Sequence, residues 1–159
     1  MELPQELQFE KLSLEEKYRR AIPGFMKRVA DIYAAIYERF GEEGLELIRE
    51  VSAGYGTRIG ENVNKKGGLK GVADVGRYLL KVFDMIAAEW EVSEFTDDRM
   101  VIRVRSCPYA FTDDAICRAH TCMEQALVAT LDETLEYRLG CTIPQGDSVC
   151  EHILSTRWR

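Results

Sequence analysis

Apolar residues recur at intervals of three and four through most of the chain up to residue 90. The spacing then changes to every second residue, returns to the helical interval, and ends on alternation again. Ser13-Leu14-Glu15-Glu16 carries the Ser and Glu of a capping box, so a first helix is expected to start there. Pro23-Gly24 is expected to break or kink it. Beyond that point Phe25, Val29, Ile32, Tyr33, Ile36, Tyr37 and Phe40 form one apolar stripe, read as a core face, up to a stop at Gly41.

A second helix is expected from about Glu42 to Ile59 on Leu45, Ile48, Val51 and Tyr55, with Gly54 and Gly56 weakening its far end. After a polar connection over 62–68, a third helix is predicted over 69–90, on Val72, Val75, Leu79, Val82, Phe83, Ile86 and Trp90. A period of two then predicts a hairpin, 91–95 and 99–106, turning at Thr96-Asp97-Asp98, with Met100, Ile102 and Val104 on one face. A fourth helix follows over about 114–133, capped by Asp113 or Asp114, and a second hairpin, 135–143 and 148–156, closes around Pro144-Gln145-Gly146-Asp147.

This order predicts an α+β fold: N-terminal helices packed on a four-stranded antiparallel sheet made of two hairpins separated by a helix. One domain is expected over 1–159, with a loose arm at 1–12, a helical part at 13–90 and a cysteine-rich sheet and helix part at 91–159. Helices over a sheet also leave room for an apolar ligand cavity between the layers, although the pattern does not separate filled core from cavity.

Charge narrows the partners. The 159 residues carry a formal net charge of -6, with Lys65-Lys66 the one small basic cluster, which argues against a nucleic-acid face. The N-terminus has neither a signal-like nor a membrane-spanning run, so a cytoplasmic protein without a membrane partner is expected. The helical apolar surface is sufficient for a homodimer.

All five cysteines lie between Cys107 and Cys150. In a reducing compartment that crowding points to metal or thiol chemistry rather than to disulfides, against the alternative that each cysteine fills core space. If Ile143 pairs with Ser148, Cys141 falls opposite Cys150, on a face shared with Tyr137, Leu139, His152 and Leu154. Cys107 and Cys122 then complete a tetrahedral metal set, while Cys117, about 140° around its helix from Cys122, is the less suitable one. Zinc is the expected ion, with an iron–sulfur cluster the second option for four thiolates.

His120, on an apolar helix face four residues before Glu124, reads as a core histidine bonded to a neighbour, or else as a ligand or base. His152 is a catalytic or ligand-orienting candidate. Asp147 is a turn residue or a carboxylate that orients water beside Cys150. Arg103 and Arg105 form a solvated strand face or a clamp for a substrate carboxylate.

Cys107-Pro108, the helix-borne Cys122, and Gly146-Asp147-x-x-Cys150-Glu151 before a final strand resemble the L-2-amino-thiazoline-4-carboxylic acid hydrolase-like family over roughly the last third of the chain. The Gly-Asp-x-x-Cys ending is also similar, more distantly, to the 4-vinyl-reductase small-molecule-binding domain. Arg138 stands where the zinc-binding relatives carry a Glu, and Cys141 is the residue expected to compensate. The resemblance implies a C–N bond hydrolase opening a small carboxylated heterocycle. In that reading zinc-bound water attacks the ring, Asp147 or His152 moves protons, and Arg103 or Arg105 holds the carboxylate. The alternative is a non-enzymatic small-molecule-binding sensor with a structural zinc held by cysteines.

Overall fold

The computed structural model describes residues 11–157. Most of the expected arm lies outside the described residues. Helix α1 (Leu14–Phe40) starts at the predicted capping box: Ser13 Oγ accepts the Glu16 N–H, and the Glu16 carboxylate accepts the Ser13 N–H in return. It ends where expected, at Gly41, whose φ of 57° favours glycine. Pro23 does not break α1. The proline sits on an exposed stretch, where water can take the carbonyl left unbonded one turn earlier.

Helix α2 (Glu42–Asn64) runs past the predicted end near Ile59, and the reason is packing. A Cβ on Gly56 would stand 2.0 Å from the Met123 carbonyl oxygen, and one on Gly60 would stand 2.7 Å from Thr130 Cβ. The glycines therefore let α2 lie directly against helix α4 (Asp114–Leu131). Helix α3 (Gly71–Met85) is shorter than predicted, because the chain reverses at Ala87, φ 57°. Trp90, taken as the end of the helical stripe, belongs instead to the first strand.

The strands are β1 (Glu89–Phe95), β2 (Arg99–Ser106), β3 (Leu135–Leu139) and β4 (Cys150–Thr156), all antiparallel in the order β1-β2-β4-β3. The fold is α+β as expected, with two hairpins separated by α4. The second hairpin has the anticipated register: Tyr137 faces Leu154 and Leu139 faces His152. Regular pairing stops at Leu139, and a short 3-10 turn, Ile143–Gln145, carries the connection.

One sheet face is covered. Met100, Ile102, Val104, Tyr137, Cys150 and Leu154 pack beneath Val75, Leu79 and Phe83 of α3 and Leu127, Val128 and Leu131 of α4. The alternate positions of β2 and β4 point outward and form ion pairs such as Arg103 with Glu151. A smaller cluster joins Leu45 and Ile48 of α2 to Ile116 and Ala119 of α4, with Tyr33, Ile36 and Tyr37 of α1 packed against it. The rest of the α1 stripe is not core: no residue of α1 is buried, and Phe25 and Ile32 are 62% and 48% exposed. Val51 and Tyr55 of α2 are exposed as well.

Candidate apolar cleft and buried chamber

The segment from Cys107 to Phe111 links the end of β2 to α4. It turns on the Ala110 N–H bonded to the Cys107 carbonyl at 3.0 Å, with Ala110 at φ 49°. Opposite it, the β3–β4 connection is fastened to the start of α4. Asp114 accepts the Thr142 hydroxyl at 2.6 Å, the Gln145 amide at 3.0 Å and the Arg118 Nε–H at 2.7 Å. Arg118 also donates to the Leu139 and Gly140 carbonyls. Asp113 caps the helix by accepting the Ala115 N–H at 2.8 Å.

Between these two loops opens a cleft of about 220 Å3, whose rim and walls include Arg105, Ile143 and Pro144. Behind it, under α4, lies a smaller chamber of about 40 Å3 lined by Phe83, Val104, Tyr109, His120, Glu124 and His152 among others. Cys107, Phe111, Cys117 and Cys150 line both spaces and form their common wall.

The chamber is apolar apart from a few polar groups. His120 is 8% exposed, and neither ring nitrogen has a hydrogen-bond partner. The rings of Tyr33, Tyr109 and Phe111 surround it at centroid distances of 5.8, 4.4 and 5.3 Å. Glu124 is likewise 8% exposed, with Oε2 unpartnered, so the expected bond between His120 and Glu124 is not made. His152 is hydrogen-bonded through Nδ1 to the Tyr137 hydroxyl and meets the Phe83 ring edge-on.

Burial sets the charge states. It pushes the Glu124 carboxyl up to about 8 and both His120 and His152 down to about 4, so all three are predominantly uncharged at neutral pH. Burial also raises Cys117 to about 12 and raises Cys107 and Cys150. The Cys150 sulfur accepts the Ile143 N–H at 3.3 Å, which partly opposes its rise. These are protonated thiols, not standing nucleophiles.

The residues singled out from sequence are only partly brought together. Cys107, Cys150 and His152 share the region, but Cys122 lines neither space and its thiol points to the Arg118 carbonyl at 3.8 Å. Cys141 turns aside to the Val149 carbonyl. Among the described residues no three His, Cys, Asp or Glu side chains are grouped to hold a metal ion, so the zinc site expected from Cys107, Cys122, Cys141 and Cys150 is not formed. Asp147 is exposed in its turn and lines neither space. Arg103 pairs with Glu151 on the outer sheet face, and Arg105, at the cleft rim, pairs with Glu91.

Cys117, set aside in the sequence reading, is on the shared wall. Its signal was present: Cys117, His120, Thr121 and Glu124 fall at helical spacing on one face of α4. Among the described residues no helix is long and apolar enough to cross a membrane.

No protein-family model matches the chain. No curated protein matches it either. Among solved structures, it is similar to a trafficking protein particle complex subunit 3 from Naegleria fowleri covalently bound to palmitic acid, with a TM-score of 0.59 and 13% sequence identity over 84% of this chain and 95% of that one. At that identity the likeness is one of fold. It corrects the resemblance to the thiazoline hydrolase and 4-vinyl-reductase families, which rested on the last third alone. The hydrolase reading and the zinc-bearing sensor reading are corrected with it: the fold likeness lies elsewhere, and among the described residues no metal donors are grouped.

Proposed function

We propose that this chain is a binding module that takes an apolar, acyl-like group into the cleft between the Cys107–Phe111 segment, α4 and the β3–β4 turn. The observation that carries this reading is a cleft of about 220 Å3 whose lining is mainly apolar and whose inner wall is shared with the chamber behind it. The likeness in fold to a trafficking subunit that holds palmitic acid supports it. The volume lies below the roughly 300–1,000 Å3 of pockets for drug-sized ligands, so a short chain or a single ring fits without side-chain movement.

Normal alcohols of increasing length test the reading by thermal melting. Hexanol and octanol are expected to raise the melting temperature in a saturable way, and Cys117→Phe, which fills the shared wall, abolishes the rise while keeping a cooperative transition. No alcohol-dependent rise in the parent chain would overturn it.

The exposed α1 stripe supports a second element of the same proposal, self-association through α1. Tyr33, Ile36 and Tyr37 of the stripe pack against α2 and α4, while Phe25 and Ile32 of the same stripe stay exposed among the described residues and offer an apolar surface to a partner. A second copy supplies the same stripe, and a two-fold axis brings the two together.

A further inference from the structure

We infer that the buried chamber behind the cleft is the seat for a protonated amine, so that the ligand is an apolar body carrying an ammonium head, with Glu124 as its counter-charge. This inference rests on the apolar-cleft reading and specifies the ligand's other end.

The geometry separates the two parts of such a ligand. The cleft, at about 220 Å3, has room for a short hydrocarbon body, whereas the chamber, at about 40 Å3, has room for a head little larger than a water molecule. Their common wall at Cys107, Phe111, Cys117 and Cys150 makes them neighbours. Two polar side chains line the chamber more than nine-tenths buried with unpartnered atoms, His120 and Glu124. Leaving such groups unpaired is unfavourable, and a ligand that bonds them recovers that loss.

The charge of the head follows from what faces Glu124. The titratable neighbours are Cys107 and Tyr109 of the connecting segment, Cys117, His120 and Cys122 of α4, Tyr137 of β3, and Cys150 and His152 of β4. Each is uncharged near neutrality. Among the described residues no lysine or arginine is paired with Glu124. A carboxylate or phosphate head would meet no positive charge there. An ammonium head meets the Glu124 carboxylate and the aromatic rings of Phe83, Tyr109 and Phe111.

Its three N–H donors also match the acceptors on α4. Glu124 supplies one and a His120 ring nitrogen the second. The third is the Thr121 hydroxyl, whose proton is already given to the Cys117 carbonyl at 2.9 Å.

Hexylamine, hexanol and hexanoate, compared by calorimetry at pH 7, test this. Hexylamine is expected to bind roughly tenfold or more tightly than hexanol, with hexanoate weakest. Because Glu124 is protonated in the free chain and ionised beside the ammonium, binding releases nearly one proton at pH 7 and almost none at pH 9, read from buffers of different ionisation enthalpy. Glu124→Gln should bring hexylamine down to the level of hexanol and remove the proton release.

Equal binding of hexylamine and hexanol, tightest binding of hexanoate, or no proton release overturns the ammonium seat and leaves the apolar cleft standing. Binding of none of the three overturns both and leaves the chamber a place for water only. The headgroup comparison and the proton release are measured on the parent chain, so they decide the matter even if the variant folds poorly.

Discussion

Gly56 of α2 touches the Met123 carbonyl of α4 so closely that a methyl group there would stand 2.0 Å from the oxygen. That contact seats α4, with Cys117, His120 and Glu124 on its inner side, over the sheet. Gly56→Ala must push the helices apart or bend one of them, and is expected to destabilise the fold by about 1–3 kcal/mol or more. Gly54→Ala, which meets only the Arg58 guanidinium at 3.5 Å, should instead stabilise by about 0.5–1 kcal/mol. Urea unfolding of both variants checks the pair, and equal shifts would mean that α2 and α4 do not depend on this approach.

Stability should pass through a maximum between about pH 6 and pH 7. His120 and His152 are held near 4 when folded and 6.5 otherwise, so their contribution is present above pH 6.5 and is lost as pH falls toward 4. Glu124 is held near 8 against a usual 4.5, so its contribution is present at acid pH and is lost as pH rises through 8. Between pH 4.5 and 6.5 two histidines outweigh one carboxyl; above that window Glu124 acts alone. Each flank should slope by about 1 kcal/mol per pH unit, and Glu124→Gln should remove the fall between pH 6.5 and 8. A monotonic profile in the parent chain would contradict the assignment.

Thiol labelling should rank the cysteines by burial. Cys141, near the surface, should react with iodoacetamide first, and Cys117, pushed up to about 12, should be among the last. Hexanol should protect Cys107, Cys117 and Cys150 while leaving Cys122 and Cys141 unchanged. Peptide mass spectrometry after timed quenching gives the order, and early labelling of Cys117 would show that the shared wall is open to solvent.

Thr142 is fully buried and ties the β3–β4 turn to Asp114. Thr142→Val keeps the shape but leaves the Asp114 oxygen without that donor, for an expected loss of about 1–3 kcal/mol. Hydrogen exchange should rise across 141–147. Unchanged exchange there would place the anchoring wholly on Arg118 and Gln145.

Self-association through α1 should raise the sedimentation coefficient with concentration, and Ile32→Glu should return the chain to a monomer without lowering its monomeric stability, because Ile32 is half-exposed. A parent chain that remains monomeric at high concentration removes this element of the proposal.

The sheet is readable from short-range pattern, because alternation at Met100, Ile102 and Val104 and the register of the second hairpin act locally, although its strands end at Leu139 and Cys150 rather than at Ile143 and Ser148. The capping box at Ser13 was readable for the same reason. Helix periodicity identifies an apolar face but not what covers it, so Phe25 and Ile32 fit a core stripe yet stand exposed among the described residues. Gly56 and Gly60 carry no local sign of whether they weaken a helix or admit a neighbour. The cysteines misled through the sheet: Cys141 falls opposite Cys150 by register, yet regular pairing ends before it, and the thiol turns outward. Cys117 and Cys122 diverge around α4, and the one that faces the cleft and chamber is Cys117 rather than Cys122.

The strand order β1-β2-β4-β3 has a bearing on synthesis. β4 is the last of the four strands to be made, yet it lies between β2 and β3. Until Cys150–Thr156 has left the ribosome, the first hairpin and β3 each expose an unpaired edge, and the apolar side chains of β2 lack their neighbours. Folding of the sheet is therefore a late, nearly all-at-once event. A nascent chain stalled before Cys150 is expected to remain a target for chaperones, however complete its helices.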